Sequence, residues 1–189
     1  MATEQEQDVV ELLMAQHNRI KQLLQQVQDA APGAKREPFE DLVRLLAVHE
    51  AAEEEVVHPT SRRVFVDSEI VDARLDEEEQ AKQELAALYD LGVEHREFDE
   101  RFRLFAHKVI EHAEMEEKEE FGQVLQQTSQ SERAALATAV RVAENTAPTR
   151  PHPNAGQSAI ANVVMGPPLA VFDRVRDAVR DWRRKQGDN

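Results

Sequence analysis

The chain has 189 residues, of which 41% are hydrophobic and 32% are charged, and its formal net charge is -14. This length suits one ordinary domain with a tail, and the acidic surface argues against nucleic acid as a partner. The absence of cysteine excludes disulfides, zinc–thiolate sites and iron–sulfur clusters. The acidic N-terminus does not look like a secretory signal, and no apolar run approaches the ~20 residues of a membrane span. We therefore expect a cytoplasmic protein without stable membrane insertion.

Four long helices are predicted in chain order, at residues 5–30, 38–58, 68–91 and 97–127. Each has an apolar stripe at helical spacing, and a polar residue interrupts each stripe. Pro59 is expected to stop the second helix, Gly92 the third, and Gly122 to kink or end the fourth. Short connections between long helices predict an all-α fold, an antiparallel four-helix bundle.

The remaining sequence predicts additional C-terminal helices. Ser129 and Glu132 have capping-box spacing before an Ala-rich fifth helix at residues 134–144. Residues 148–168 are rich in proline and predict a linker or strap. Residues 169–185 predict an amphipathic helix that docks on the bundle or on a second copy of the chain, as in a homodimer. We thus divide the chain into a bundle at 1–127 and an accessory region at 128–189.

Two helices carry the same motif, H-x-x-x-E-E. It occurs at His49/Glu53/Glu54 in the second helix and at His112/Glu116/Glu117 in the fourth. On an α-helix, residue i+4 lies about 40° further round and ~6 Å further along, so a His and a Glu at this spacing can reach one cation. The alternative is a polar helix face on which His meets Glu by chance, but both His residues interrupt an apolar stripe.

A comparison of the first two helices with the last two adds one candidate metal ligand from the first helix and one from the third. His17 precedes His49 by 32 residues and is followed by apolar residues at +3, +7 and +10. The same offsets after Glu78 give Ala81, Leu85 and Leu88, whereas Glu79 gives a poorer match. The alternative for His17 is an ordinary hydrogen-bonded core histidine. The alternative for Glu78 is a solvated position within a Glu-rich run. The predicted inward polar set is His17, His49, Glu53, Glu78, His112 and Glu116.

Three imidazoles and three carboxylates in a core need cations, because an unpaired buried carboxylate is costly. This donor set in a helical bundle suits iron, with manganese and zinc as competitors. Glu54 and Glu117 are either solvated or bonded to the ligand imidazoles. Lys82 is either a surface lysine or a counter-charge for the site. His95 and His107 are expected to be exposed, and His152, between two prolines, to be structural.

At these residues the chain resembles the hemerythrin-like HHE cation-binding family. Its pattern is a His on helix one, H-x-x-x-E on helix two, His residues on helix three and H-x-x-x-E/D on helix four. The resemblance covers roughly residues 8–125. It implies a four-helix bundle with a non-haem di-iron centre, oxo- or hydroxo-bridged, in which the two irons are also bridged by Glu53 and Glu116.

The chain departs from the family pattern on the third helix, where Glu78-x-x-x-Lys82 replaces H-x-x-x-H. Extra carboxylate donation favours ferric iron, so bound O2 would be reduced rather than released. A second departure is His58, where many relatives have an aromatic residue. In a regular helix His58 would lie about 180° from His49. It is interpreted as a ligand, a donor to ligands, or a partner of the helix dipole.

Two functions follow as hypotheses. The first is a di-iron protein that binds or reacts with O2, peroxide or nitric oxide, or that senses iron or oxygen. The second is a binding module in which the metal only stabilises the fold and the C-terminal helix binds a partner. A metal-free bundle is the third possibility.

Overall fold

The computed structural model describes residues 8–64 and 69–146, and also Asp177 and Arg184, which are helical and exposed. The described helices are α1 (Val9–Asp29), α2 (Arg36–Ala52), α3 (His58–Val64), α4 (Glu69–Leu91), α5 (Phe98–Glu116), α6 (Gly122–Gln127) and α7 (Gln130–Thr146). Two short π-helical segments lie between them. We call Glu53–Val57 the first π turn and Glu117–Phe121 the second π turn.

The first helix has the start that its sequence favours. The Asp8 side chain accepts hydrogen bonds from the backbone N–H groups of Val10 and Glu11, and the Glu11 carboxylate accepts one from the Asp8 N–H. After α1 the chain turns at Gly33, which has a φ of 85°, a conformation that glycine adopts without strain. The buried face of α1 contains the predicted apolar stripe and His17.

The second predicted helix does not stop at His58. It continues through the first π turn and α3 to Val64, with Pro59 inside it. A proline ring normally clashes with the preceding helical turn. Here the preceding turn has π spacing, with the His58 N–H bonded to the Glu53 carbonyl five residues back, and this wider turn makes room for the ring. The expected stop at Pro59 is therefore wrong.

The other helix boundaries agree more closely with the sequence. Gly92, with a φ of 80°, follows α4 directly, as expected for a C-terminal glycine. The predicted fourth helix spans α5, the second π turn and α6, and it continues through Gly122 to Gln127. Ser129 and Glu132 form the expected reciprocal capping contacts at the start of α7.

The core fills the space between the long helices. α1 packs along α2 and α5, α4 packs along α5, and α7 lies against α1 and α2. One end of the bundle is filled by the mutually packed rings of Phe39, Phe98, Phe102 and Phe105. The predicted all-α, antiparallel four-helix bundle is confirmed. It leaves the polar residues of the four stripes facing one another at the opposite end.

The predicted linker at 148–168, His152 and the amphipathic helix at 169–185 lie outside the described residues, apart from Asp177 and Arg184. In the described part of the chain, we find no helix with the length and apolarity that crossing a membrane requires.

Candidate metal centre

Two carboxylates lie at the middle of the polar cluster. Glu53 comes from the start of the first π turn and Glu116 from the end of α5, and both are 0% exposed. Within the described part of the chain, none of their four carboxylate oxygens accepts a hydrogen bond. Two buried carboxylates without donors would be strongly destabilising. This is the environment that a bound cation would stabilise.

His17 and His49 face these carboxylates from α1 and α2. The Nε2 atoms of the two rings are 3.0 Å apart. The His49 Nε2 is 3.0 Å from Glu53 Oε1, and the His17 Nε2 is 3.4 Å from Glu116 Oε2. One ligand atom from each of these four residues lies within 4.8 Å of the others. We call them the first group.

The far side of each ring is held by a further side chain. The His17 Nδ1 lies 2.8 Å from Glu117 Oε1, and the His49 Nδ1 lies 2.9 Å from Gln16 Oε1. Both partners are hydrogen-bond acceptors, so each Nδ1 is the donor and each Nε2 keeps its lone pair. Two lone pairs therefore face each other at 3.0 Å among carboxylate oxygens. A metal ion accommodates such an arrangement.

A second group consists of Glu53, Glu78 and His112. Glu78 is 1% exposed, so the sequence prediction selected the inward residue of the Glu77–Glu79 run, whereas Glu79 is exposed. The His112 Nδ1 is 2.9 Å from Glu77 Oε2, and its buried Nε2 has no hydrogen-bond partner among the described residues. His112 thus resembles His17 in having a carboxylate on Nδ1.

A third group consists of His58, Glu116 and Glu120. The His58 Nε2 is 2.5 Å from Glu78 Oε1, and its Nδ1 is 3.6 Å from Glu120 Oε2. The helical wheel placed His58 on the opposite side from His49, which is wrong. The first π turn absorbs one extra residue, so the angle between the two is about 80° rather than about 180°. Glu120, in the second π turn, was missed altogether.

The three groups share their carboxylates. Glu53 belongs to the first and second groups, and Glu116 to the first and third. A carboxylate can offer one oxygen to each of two cations, so the arrangement suits a centre with more than one metal ion. All six residues of the predicted inward set lie in this cluster. Their binding of metal remains a prediction.

The pKa values reflect the crowding of charges. Burial, followed by the charges of Glu116 and Glu78, raises the pKa of Glu53 well above its usual range. Burial acts in the same direction on Glu116, but contact with His17 and the positive charges that His112, His17 and His49 carry when protonated outweigh it and lower its pKa to about 2. Burial disfavours protonated His58, but the nearby carboxylates of Glu120 and Glu78 raise its pKa to about 10.

Several flanking residues clarify the alternatives left by the sequence. Glu117 bonds to the His17 imidazole, while Glu54 pairs with Lys82 at 3.3 Å. Lys82 is 7% exposed, so it is not a surface lysine. His95 and His107 are exposed, as expected. Buried Arg74 was missed, although it lies four residues before Glu78 and eight before Lys82 on one face of α4.

The fold and this cluster define a class of helical bundles that bind cations through buried imidazoles and carboxylates. The model of the hemerythrin HHE cation binding domain family matches residues 8–124. The chain belongs to this family.

Two relatives show how far the likeness extends. A crystal structure of a hemerythrin HHE cation binding domain-containing protein from Mycobacterium kansasii superposes with a TM-score of 0.63. It is 17% identical and covers 71% of this chain and 83% of that one, so it supports the fold alone. A protein of Nostoc sp. described as a DNA nickase is 25% identical over 142 residues, 75% of this chain. The match covers 40% of the nickase's length.

Proposed function

We propose that the chain is a non-haem di-iron protein that binds or reduces a small diatomic or peroxide ligand. The observation that carries the proposal is the 3.0 Å separation of the His17 and His49 Nε2 atoms beside two carboxylates that accept no hydrogen bond from the described residues. Residues of this kind gain stability when a cation lies between them, whereas without one they repel each other.

The donor set suits iron, with manganese and zinc as competitors. Imidazole and carboxylate ligands suit iron, manganese and zinc, and a chain without cysteine lacks the thiolates of structural zinc sites. The first group would hold one ion, and Glu53 and Glu116 would bridge it to a second ion held on the side of Glu78 and His112. His58 and Glu120 would complete the carboxylate-rich side.

The protein's own residues would set the reactivity. Iron would supply one-electron redox chemistry and an open position for the ligand. Glu117, Gln16 and Glu77 orient the three imidazoles, and this increases their basicity as ligands. With four carboxylates (Glu53, Glu78, Glu116 and Glu120) around the centre, the ferric state is favoured. Reduction of the ligand is therefore expected rather than its reversible release. Sensing of iron or oxygen through the same centre would use these residues too.

The direct test is the metal content of protein purified without added metal. We expect about two irons per chain and near-ultraviolet bands from bridged ferric iron, which zinc would not give. The double variant His49→Ala/His112→Ala should lose both. Exchanging the exposed His95 and His107 for Ala removes the same number of imidazoles and should change neither. A melting temperature that neither chelator nor the first double variant alters would refute the proposal.

The alternative is that the metal only stabilises the bundle and that the C-terminal helix binds a partner. A ferric protein that is inert to peroxide and to reductants would favour this alternative. Turnover of peroxide by the ferric protein would instead support the redox function and contradict a purely structural role of the metal.

The similarity to a DNA nickase raises DNA cleavage as a further candidate. That relative is more than twice as long as the matched segment, and the net charge of -14 would repel a phosphate backbone. We therefore expect a supercoiled plasmid to stay intact with the iron-loaded protein in the presence of catalase. Nicking under these conditions, lost in His49→Ala/His112→Ala, would establish the activity instead.

A further inference from the structure

A groove lies between α4 and α5, outside the metal centre. Its volume is about 550 Å³, and none of the residues that line it belongs to the three groups. Leu88 and Phe105, which are 3% and 1% exposed, form the bottom of the groove, and Ala87 contributes only a methyl group to its wall. The groove is therefore an apolar surface that the metal centre does not explain.

Leu104 is an exposed apolar side chain at this groove. It is 60% exposed, whereas the other exposed large hydrophobic residues of the described ranges, Met14 and Leu125, are 42% and 43% exposed. A single exposed leucine is ordinary, but Leu104 also lines the groove. A projecting side chain and an apolar depression thus share one surface. A two-fold symmetric dimer uses the same surface on both chains, so a surface of this kind suits a copy of itself.

The charges at the two edges of the groove are sorted by helix. On α5, Arg101 and Lys108 flank Leu104 on the same face, and the stretch from Arg101 to Lys108 contains three basic residues and no acidic one. On α4, the two basic residues, Arg74 and Lys82, are each only 7% exposed. The charges that α4 presents to solvent are therefore acidic, so the groove has a basic edge on α5 and an acidic edge on α4.

Lys108 and Glu84 indicate how two copies would align. The Lys108 Nζ contacts Glu84 Oε1 across the groove, so the two residues lie at the same height along the bundle. A two-fold axis parallel to the helices would lay α5 of one copy over α4 of the other, and Lys108 would then also face the partner subunit's Glu84. Elsewhere the net charge of -14 makes two copies repel each other, so a face that carries both signs is the favourable one.

We infer that the groove between α4 and α5 binds a second copy of this chain, in a symmetric homodimer in which Leu104 of each copy enters the groove of the other. The apolar contacts supply most of the affinity. The two rows of charge supply the orientation, because charge complementarity across an interface fixes the register more than it adds to the affinity. The inference goes beyond the proposed function and does not depend on it, since the surface lies outside the metal centre.

The first test is sedimentation equilibrium of the full chain, for which the wild type should have twice the mass of one chain. Leu104→Glu should raise the dissociation constant of the dimer about 100-fold or more, because it places two carboxylates in a desolvated contact. Leu125→Glu, at another exposed leucine, on α6, is the matched control and should dimerise as the wild type does. Circular dichroism checks that both variants fold, as expected for two exposed positions.

The second test exchanges the charges at the groove. Glu84→Lys and Lys108→Glu, at side chains that both reach solvent, should each weaken the dimer about tenfold or more, because like charges then face each other across the interface. An equimolar mixture of the two variants should form a mixed dimer again. In that mixed dimer the contacts between the chains have opposite charges, whereas the contact within each chain stays broken, so only an interface between copies explains the recovery.

Four outcomes would overturn the inference. One is a wild type that stays monomeric at all concentrations measured, and another is a dimer that Leu104→Glu weakens no more than Leu125→Glu does. A third is a mixture of folded Glu84→Lys and Lys108→Glu that associates no better than either variant alone. The fourth is a dimer that Trp182→Glu dissociates and Leu104→Glu does not, which would assign the interface to the predicted helix at 169–185 instead.

Discussion

The Glu117 carboxylate lies 2.8 Å from the Nδ1 of His17, on the far side of the ring from the metal-facing Nε2. Glu117 also lies 3.4 Å from the Lys21 ammonium. It therefore fixes the orientation and the tautomer of an imidazole without belonging to any of the three groups. Partners of this kind raise the affinity of the ligand for metal.

Glu117→Ala should consequently weaken iron binding about 10- to 100-fold, the range found for such partners, while the fold stays intact. Competition with a chelator measures the affinity, and circular dichroism checks the fold. Glu114→Ala, three residues earlier and exposed on the same helix, is the control and should bind iron as the wild type does. Equal affinities for the two variants would contradict the assignment of Glu117.

The first π turn should keep His58 directed at the cluster by absorbing one extra residue. Inserting one alanine after Glu55 adds a residue beyond the one that the turn absorbs, which turns His58 by about 100° away from the cluster. Deleting Glu55 instead leaves eight regular residues from His49 to His58 and keeps the angle at about 80°. We expect the insertion to lower the iron content from about two to about one per chain and the deletion to retain both irons. Equal iron contents in the two variants would show that the turn is not what positions His58.

The stability of the metal-free protein should fall as the pH rises from 7 to 9. His58 has a pKa of about 10 in the folded state against 6.5 as its ordinary value. In this window the folded chain holds a proton that the unfolded chain has lost, so stability is greatest below 6.5 and is lost as the pH approaches 10. The contribution is at most about 1.4 kcal/mol per pH unit.

Denaturant unfolding at pH 7, 8 and 9, with chelator present, measures this slope. His58→Gln should have a shallower slope than the wild type, since the other titrating groups are common to both proteins. Parallel slopes would show that His58 is not held in its protonated form by Glu78 and Glu120.

Lys82 should raise the reduction potential of the centre. Its ammonium is buried beside Glu54, where a positive charge disfavours the more positive ferric state. Lys82→Gln should lower the reduction potential by on the order of 50 mV. For a one-electron couple, about 59 mV corresponds to a tenfold change in the equilibrium constant. Redox titration of the iron-loaded protein measures it. Lys118→Gln, at an exposed lysine in the second π turn, should leave the potential within a few mV.

Periodicity was sufficient to predict the helices and the six inward residues. His17 and Glu78 each interrupt an apolar stripe. Because residues at helical spacing share one face, their place in the stripe predicts that both side chains point inward. Glu78 could be separated from Glu79 because a shift of one residue turns a side chain by about 100°. Packing of the bundle then brought residues from four helices together.

The same regularity explains what the sequence could not predict. His58 and Glu120 were misplaced or missed because a helical wheel assumes one constant angle per residue, and both π turns break that assumption. The one local signal was Pro59, which would not be expected inside a regular helix. Arg74 was missed for a different reason, because an arginine among acidic residues is normally solvated. Only the three-dimensional structure shows that its side chain is buried.

The two π turns also bear on protein design. Each begins at or directly after a carboxylate of the cluster, one on the α2 side and one on the α5 side. Designed bundles normally use ideal helices without such irregularities. A copy of the ligand residues on straight helices would therefore aim His58 and Glu120 in other directions and reproduce only part of the centre. The irregular backbone would have to be transplanted together with the side chains.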